Sequence, residues 1–183
     1  MDGTVRAATE ADMADICTIV NHYIETSSVN FRTRTQQPQE WLRLFRRDHE
    51  RYPWLVADVD GQVAGFAHAA AWSERNAYDW CVETTVYVAH QRRGGGVGQE
   101  LYTELLAGLG AQGYRTAVGV IALPNPGSVA LHERLGFRHA GTIQQAGHKL
   151  GNWHDVGFWQ YHLSEDAGSP VPPTAVGEYG TSR

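Results

Sequence analysis

Val86-Tyr87-Val88, a four-residue approach, and then Arg93-Gly94-Gly95-Gly96-Val97-Gly98 is the stretch that decides how this chain folds. The first three residues read as the end of a strand running from about Cys81 to Ala89. After the glycines, Val97, Leu101, Leu105 and Leu109 recur every four residues, which predicts a helix with one buried face. A strand, a glycine turn and a helix in succession make an α/β unit. Glycines at such a junction let successive backbone N–H groups point into one concavity at the positive end of the helix. A pyrophosphate fits there, with Arg92 and Arg93 adding local charge; a plain flexible turn is the equal alternative. The dinucleotide fingerprint G-x-G-x-x-G and the Gly-Lys-Ser/Thr of phosphate-loop NTPases are both absent.

Upstream, Thr4 to Ala8 reads as a strand and Thr9 as the N-cap of a helix whose buried face is Met13, Ile16, Val20, Tyr23 and Ile24. A polar loop around Val29-Asn30-Phe31 leads to Pro38, a suitable first helical residue, with Trp41, Leu42 and Phe45 on the apolar side. Trp54 to Ala57 and Val63 to Ala67 form a hairpin about Asp60-Gly61. Downstream, Gly113 ends the leucine helix, Thr116 to Leu123 is a buried strand, and Ser128 to Leu135 is a short helix closed by Gly136. Two further strands follow, at Arg138 to Ala146 and Val156 to Leu163. The order β-α-α-β-β-β-α-β-α-β-β predicts one α/β domain with a mixed sheet over residues 1–163. The Gly-, Pro- and Ser-rich tail, 164–183, reads as disordered.

The chain has 183 residues, with 15 basic and 20 acidic side chains and a net charge of −5. That length suits one domain with a real core. The acidic balance argues against nucleic-acid partners. Its two cysteines, Cys17 and Cys81, give neither a disulfide framework nor metal-ligand spacing, so no metal is expected. No apolar run approaches the ~20 residues of a membrane span, and the N-terminus carries charges where a signal peptide would be apolar. A cytoplasmic protein without a membrane partner is the expectation.

Two motifs in order identify a relationship. Arg93, Gly96 and Gly98 follow Val86-Tyr87-Val88 in an R-x-x-G-x-G pattern. Asn125, Ser128, His132, Glu133, Leu135, Gly136 and Phe137 follow about 30 residues later. Together they resemble the GNAT N-acetyltransferase superfamily. Within it, Ile19 to Ile24, Val29 to Thr33, Glu50 to Ala57, Arg75 to Trp80 and Gly151 to Trp159 resemble the phosphinothricin acetyltransferase group, over about Val5 to Tyr161.

The resemblance implies a mixed, twisted sheet flanked by helices, with splayed central strands holding acetyl-CoA, and a homodimer. Arg93, Gly94, Gly95, Gly96, Val97 and Gly98 would take the pyrophosphate through backbone N–H groups. Val86, Tyr87 and Val88 would offer backbone groups to the pantetheine arm, an N–H near Val86 or Val88 would polarise the thioester carbonyl, and Asn125 and Ser128 would touch the cofactor. By position in E-x-T-V-Y-V, Glu83 is the expected general base; a solvent-facing strand carboxylate is the alternative. His132 stands where many members place a Tyr acid, and an imidazole there would protonate the departing thiolate; a helix-surface histidine is the alternative. Phe31, Arg75, Thr85 and Tyr87 are expected to bind a small anionic amino acid such as phosphinothricin, its demethyl precursor, methionine sulfoximine or methionine sulfone. Arg75 would grip the anion with two bonds. Ser73 stands where close relatives often carry a Lys, which would weaken that grip. His148 and His154 rank lower as pocket residues, and Cys81 has no matched base. The rival readings are another amine acceptor (a polyamine, an aminoglycoside or a protein N-terminus) and a non-catalytic acyl-CoA-binding module, which would need neither Glu83 nor His132.

Overall fold

The computed structural model describes residues 3–164, 168–169 and 171–177. Seven strands and four α-helices follow in the order expected. They are β1 Gly3–Ala7, α1 Met13–Thr26, α2 Pro38–Asp48, β2 Trp54–Val59, β3 Gln62–Ala71, β4 Cys81–Val88, α3 Val97–Gln112, β5 Thr116–Ala122, α4 Pro126–Arg134, β6 Arg138–Lys149 and β7 Asn152–His162. The strands form one sheet in the order β1-β2-β3-β4-β5-β7-β6. Every neighbouring pair is antiparallel except β4 and β5.

Alternation along β2, β3 and β4 divides the core between two faces. Trp54, Val56 and Phe66 face α1 and α2, packing with Ile16, Val20, Trp41 and Phe45. Leu55, Ala67, Ala69 and Val82 face α3, whose Leu101, Leu105 and Leu109 are fully buried. The predicted hairpin turn is present, with Asp60 at φ 55° and Gly61 at φ 74°, the left-handed pair that such turns require.

The last hairpin is longer than the sequence suggested. β6 runs on to Lys149 and β7 begins at Asn152, joined through Leu150 (φ 51°) and Gly151 (φ 78°). A leucine in a left-handed turn position gives no Asn-Gly or Asp-Gly signal, and the strands expected from sequence stop at Ala146 and resume only at Val156. Part of the tail expected to be disordered lies outside the described residues. Within them, the amides of Thr174 and Val176 donate to the Gln112 and Glu50 carbonyls, and the Trp80 indole N–H donates to the Val171 carbonyl at 2.7 Å.

Candidate active site

The two parallel strands part company in mid-sheet. Their pairing runs from Cys81 with Thr116 to Thr84 with Gly119 and stops. β4 stays on β3 as far as Val88, and β5 stays on β7 as far as Ala122. A wedge therefore opens between 85–88 and 120–122. The Ala89 N–H donates to the Ala64 carbonyl. Counting back along an antiparallel ladder from that bond, Tyr87 and Thr85 spend their peptide groups on β3. The peptide groups of Val86 and Val88 therefore face the wedge, where the Tyr23 hydroxyl already takes the Val88 carbonyl at 2.6 Å. A cavity of about 1230 Å³ runs through this gap, lined on the two sides of the sheet by Glu83 and His132 among others.

At one end lies the glycine turn. Gly94 (φ 78°) and Gly96 (φ 88°) are both left-handed, conformations that side chains resist. Gly96 caps α3, its carbonyl accepting the Gln99 and Glu100 amides. The N–H groups of Val97 and Gly98 then have no partner within the helix. A Cβ on Gly98 would lie 3.2 Å from Leu131 and 3.4 Å from Val88, so glycine also lets α3 approach β4 and α4 closely. Arg93 brings a guanidinium nitrogen to Gly127 in the first turn of α4, where the Asn125 Oδ1 accepts the Ser128 amide. Arg92 leans toward Asp60 at 3.9 Å. Arg93, Gly94, Gly96, Val97, Gly98, Asn125 and Ser128 all line the cavity; Gly95 does not.

On the α1/α2 face, Glu83, Thr85 and Tyr87 follow one another along β4, with Phe31 and Asn30 from the loop above. Burial pushes the Glu83 carboxyl above the ordinary carboxylate range. On the α3 face sits His132, 3% exposed, with its ring edge-on to Tyr102 and Phe137. Its Nδ1 is 2.8 Å from the Ser128 carbonyl, which can only accept, so Nδ1 carries the proton. Nε2 then accepts from the Tyr102 hydroxyl at 2.9 Å, and the Tyr102 oxygen stands 3.2 Å from Thr84 Oγ1. Burial lowers the His132 pKa, partly offset by the Ser128 carbonyl. Neutral His132 thus has both ring nitrogens engaged, a different picture from a free acid aimed at the cavity.

Arg75 departs furthest from expectation. It is exposed, outside the cavity wall, and opens a short 3-10 turn at Asn76–Tyr78. The loop that carries it folds toward other elements: Asp79 pairs with Arg51, and the Trp80 carbonyl accepts the Arg115 and Thr116 amides. The guanidinium groups on the cavity belong to Arg32, Arg47, Arg92, Arg93 and Arg134.

Residues 5–157 match the acetyltransferase (GNAT) domain model. The chain is 57% identical over 172 residues to a phosphinothricin N-acetyltransferase of Streptomyces viridochromogenes, covering 94% of this chain and 92% of that one. The chain belongs to the GNAT acetyltransferase family. It is also 33% identical to an L-methionine sulfoximine/L-methionine sulfone acetyltransferase of Pseudomonas paraeruginosa, over 93% of this chain and all of that one. A GNAT phosphinothricin acetyltransferase of Sinorhizobium meliloti, solved with acetyl-CoA, superposes with a TM-score of 0.88 at 33% identity, covering 93% and 94% of the two chains. This GNAT protein is an acetyl-CoA-dependent N-acetyltransferase. The Val97 and Gly98 amides that the helix leaves without partners could take a phosphate of acetyl-CoA, and the wedge-facing peptide groups of Val86 and Val88 could take its extended arm. Among the described residues, no cluster of three or more His, Cys, Asp or Glu could hold a metal, and no helix is long and apolar enough to cross a membrane.

Some residues of this GNAT site escaped the sequence reading. Tyr102 follows Leu101 of the leucine stripe and passes for core. Gly119 carried a usable signal, since a lone glycine inside a strand marks close approach; a Cβ there would meet His132 Nε2. Tyr23 was read as a core residue only, and nothing in the sequence marks Lys149.

Proposed function

We propose that the protein acetylates the amino group of a small anionic amino acid of the phosphinothricin or methionine sulfoximine/sulfone type. The observation that carries this is Glu83, a carboxyl raised by burial, set on the cavity wall in one row with the Thr85 and Tyr87 hydroxyls. The activities for which the relatives at 57% and 33% identity are named support the acceptor class. Acetylation of such a compound would detoxify it.

Bound acetyl-CoA supplies an acetyl thioester. Arg93 and the amides of Gly94, Gly96, Val97 and Gly98 hold the phosphate end, with Asn125 and Ser128 across the turn. The Val86 N–H, facing the wedge, donates to the thioester carbonyl oxygen as negative charge develops there. Glu83 takes a proton from the acceptor's ammonium, leaving the neutral amine to attack the thioester carbonyl carbon, and its raised pKa brings it nearer the working range of a base. His132 acts as acid together with Tyr102. The tetrahedral adduct still carries an N–H proton to lose; taken up at Nε2, it turns the Tyr102 hydroxyl from donor to acceptor and is then passed to the departing thiolate sulfur as the C–S bond breaks. Phe31 walls the acceptor, while Thr85 and Tyr87 donate to its acid group. Ile143, Leu150 and Trp153, all exposed on the β6–β7 hairpin, support pairing of two copies through that hairpin.

Thiol release from acetyl-CoA tests the reading across phosphinothricin, methionine sulfoximine, methionine sulfone, spermidine and an aminoglycoside. Turnover is expected with the first three. Turnover only with the cationic amines would refute the acceptor class, and tight cofactor binding without any turnover would favour a binding module.

A further inference from the structure

We infer that Asn30 and Lys149 are positioning residues that turn the hydroxyl proton of Tyr87 into the cavity, toward an acid-group oxygen of the acceptor. This rests on the amino-acid reading above.

The hydrogen-bond polarity follows from chemistry alone. The Arg32 backbone N–H lies 2.8 Å from the Asn30 side-chain oxygen, and a backbone N–H can only donate. That contact fixes which end of the amide is oxygen, an assignment that otherwise depends on the network. The amide nitrogen therefore faces Tyr87, 2.9 Å from the phenol oxygen. An amide nitrogen only donates, so the phenol accepts and its own proton is left over. Among the described residues, the Tyr87 hydroxyl has no other hydrogen-bond partner. Of the rings beside it, Phe66 stacks and Tyr23 is tilted, and the Tyr23 hydroxyl is directed at the Val88 carbonyl at 2.6 Å.

Asn30 in turn is held from the far end of the sheet. Lys149, the last residue of β6 and 5% exposed, donates to the Asn30 carbonyl at 2.7 Å and to the Ile24 carbonyl at 2.6 Å. Ile24 lies in the last turn of α1, where the helix dipole favours a cation. Among the described residues no carboxylate pairs with this ammonium; the two carbonyls hold it. Phe31, next in the chain after Asn30, packs directly on Gly147 of β6, where a Cβ would strike its ring. The loop carrying Asn30 and Phe31 is thus pinned to the outer hairpin, and the pin ends at Tyr87 in the site.

Asn30→Asp tests this with almost no change of shape. The introduced carboxylate still accepts from Arg32 but has no N–H for Tyr87, so the phenol turns its proton onto that carboxylate and away from the ligand. The acceptor KM should rise roughly tenfold, as expected for loss of a hydrogen bond to a charged group. The acetyl-CoA Kd should stay within about twofold. In a Tyr87→Phe background the same substitution should add less than about a factor of two, a coupling that a general loosening of the loop would not produce. Lys149→Met should shift the acceptor KM in the same direction. An unchanged KM in Asn30→Asp, or effects that simply multiply in the double variant, would overturn the inference while leaving the amino-acid activity of the parent intact. A parent that acetylates only cationic amines would overturn the proposed function, and this inference with it.

Discussion

Gly119→Ala adds one methyl group where β4 and β5 separate, and the structure says what that methyl meets. It would collide with His132 Nε2 and lie 2.6 Å from Cδ2. The ring has little room to retreat: Tyr102 and Phe137 stand edge-on at centroid distances of 5.0 and 4.9 Å, and Nδ1 is tied to the Ser128 carbonyl. Restoring an ordinary 3.4 Å contact requires a shift of about 0.8 Å at Cδ2 and about 1 Å at Nε2, a scale at which close-packed cores respond. Overpacking of this kind costs about 1–3 kcal/mol. For a domain of this size that is a Tm lower by roughly 2–12 °C. The same shift would open the 2.9 Å bond between Nε2 and the Tyr102 hydroxyl, so kcat should fall at least about tenfold. Thermal melts and thiol-release kinetics read the two effects. In a His132→Ala background the methyl has space, and its stability cost should largely vanish. Parental Tm and kcat in Gly119→Ala would refute the packing and the role given to the His132–Tyr102 pair.

Stability should also depend on pH through His68, which stacks on Trp54 at 4.2 Å and whose pKa burial lowers to about 4. Its unfolded value is near 6.5, so on acidification the unfolded chain takes up the proton first. The contribution is complete above pH 6.5 and is lost as pH falls toward 4, about 3 kcal/mol in all. Melts across that window should show His68→Gln flattening the slope, and an unchanged slope would exclude His68 as its source. Arg93→Gln should weaken acetyl-CoA about tenfold by equilibrium titration with little effect on the acceptor KM. An unchanged Kd would remove Arg93 from the phosphate site.

The elements were legible where local chemistry and tertiary burial agree. The leucine stripe of α3, the Asp60-Gly61 turn and the Pro38 start of α2 each state their own conformation. So do the residues whose role rests on backbone: a glycine turn exposes its amides whatever side chains surround it. The distal β6–β7 arm was missed because Leu150 occupies a left-handed position without a turn residue's signature. Arg75 illustrates the limit: a guanidinium's chemistry is evident from sequence but its direction is not, and the structure leaves it exposed and off the cavity wall. The loop's recorded contacts tie Asp79 to Arg51 and the Trp80 carbonyl to the Arg115 and Thr116 amides, none of which its sequence announces. The Lys149–Asn30–Tyr87 and His132–Tyr102–Thr84 arrangements join residues 18 to 119 positions apart, so no spacing rule reaches them.

Glu83→Gln tests the central claim most directly, by single-turnover acetyl transfer to phosphinothricin across pH with acetyl-CoA binding measured alongside. The side chain keeps its shape but can no longer take a proton. The rate should fall at least about a hundredfold, with acetyl-CoA Kd unchanged. The acid limb of the parent's profile, displaced above the ordinary carboxylate range by burial of Glu83, should disappear with it. Parental rates with the acid limb intact would contradict the account.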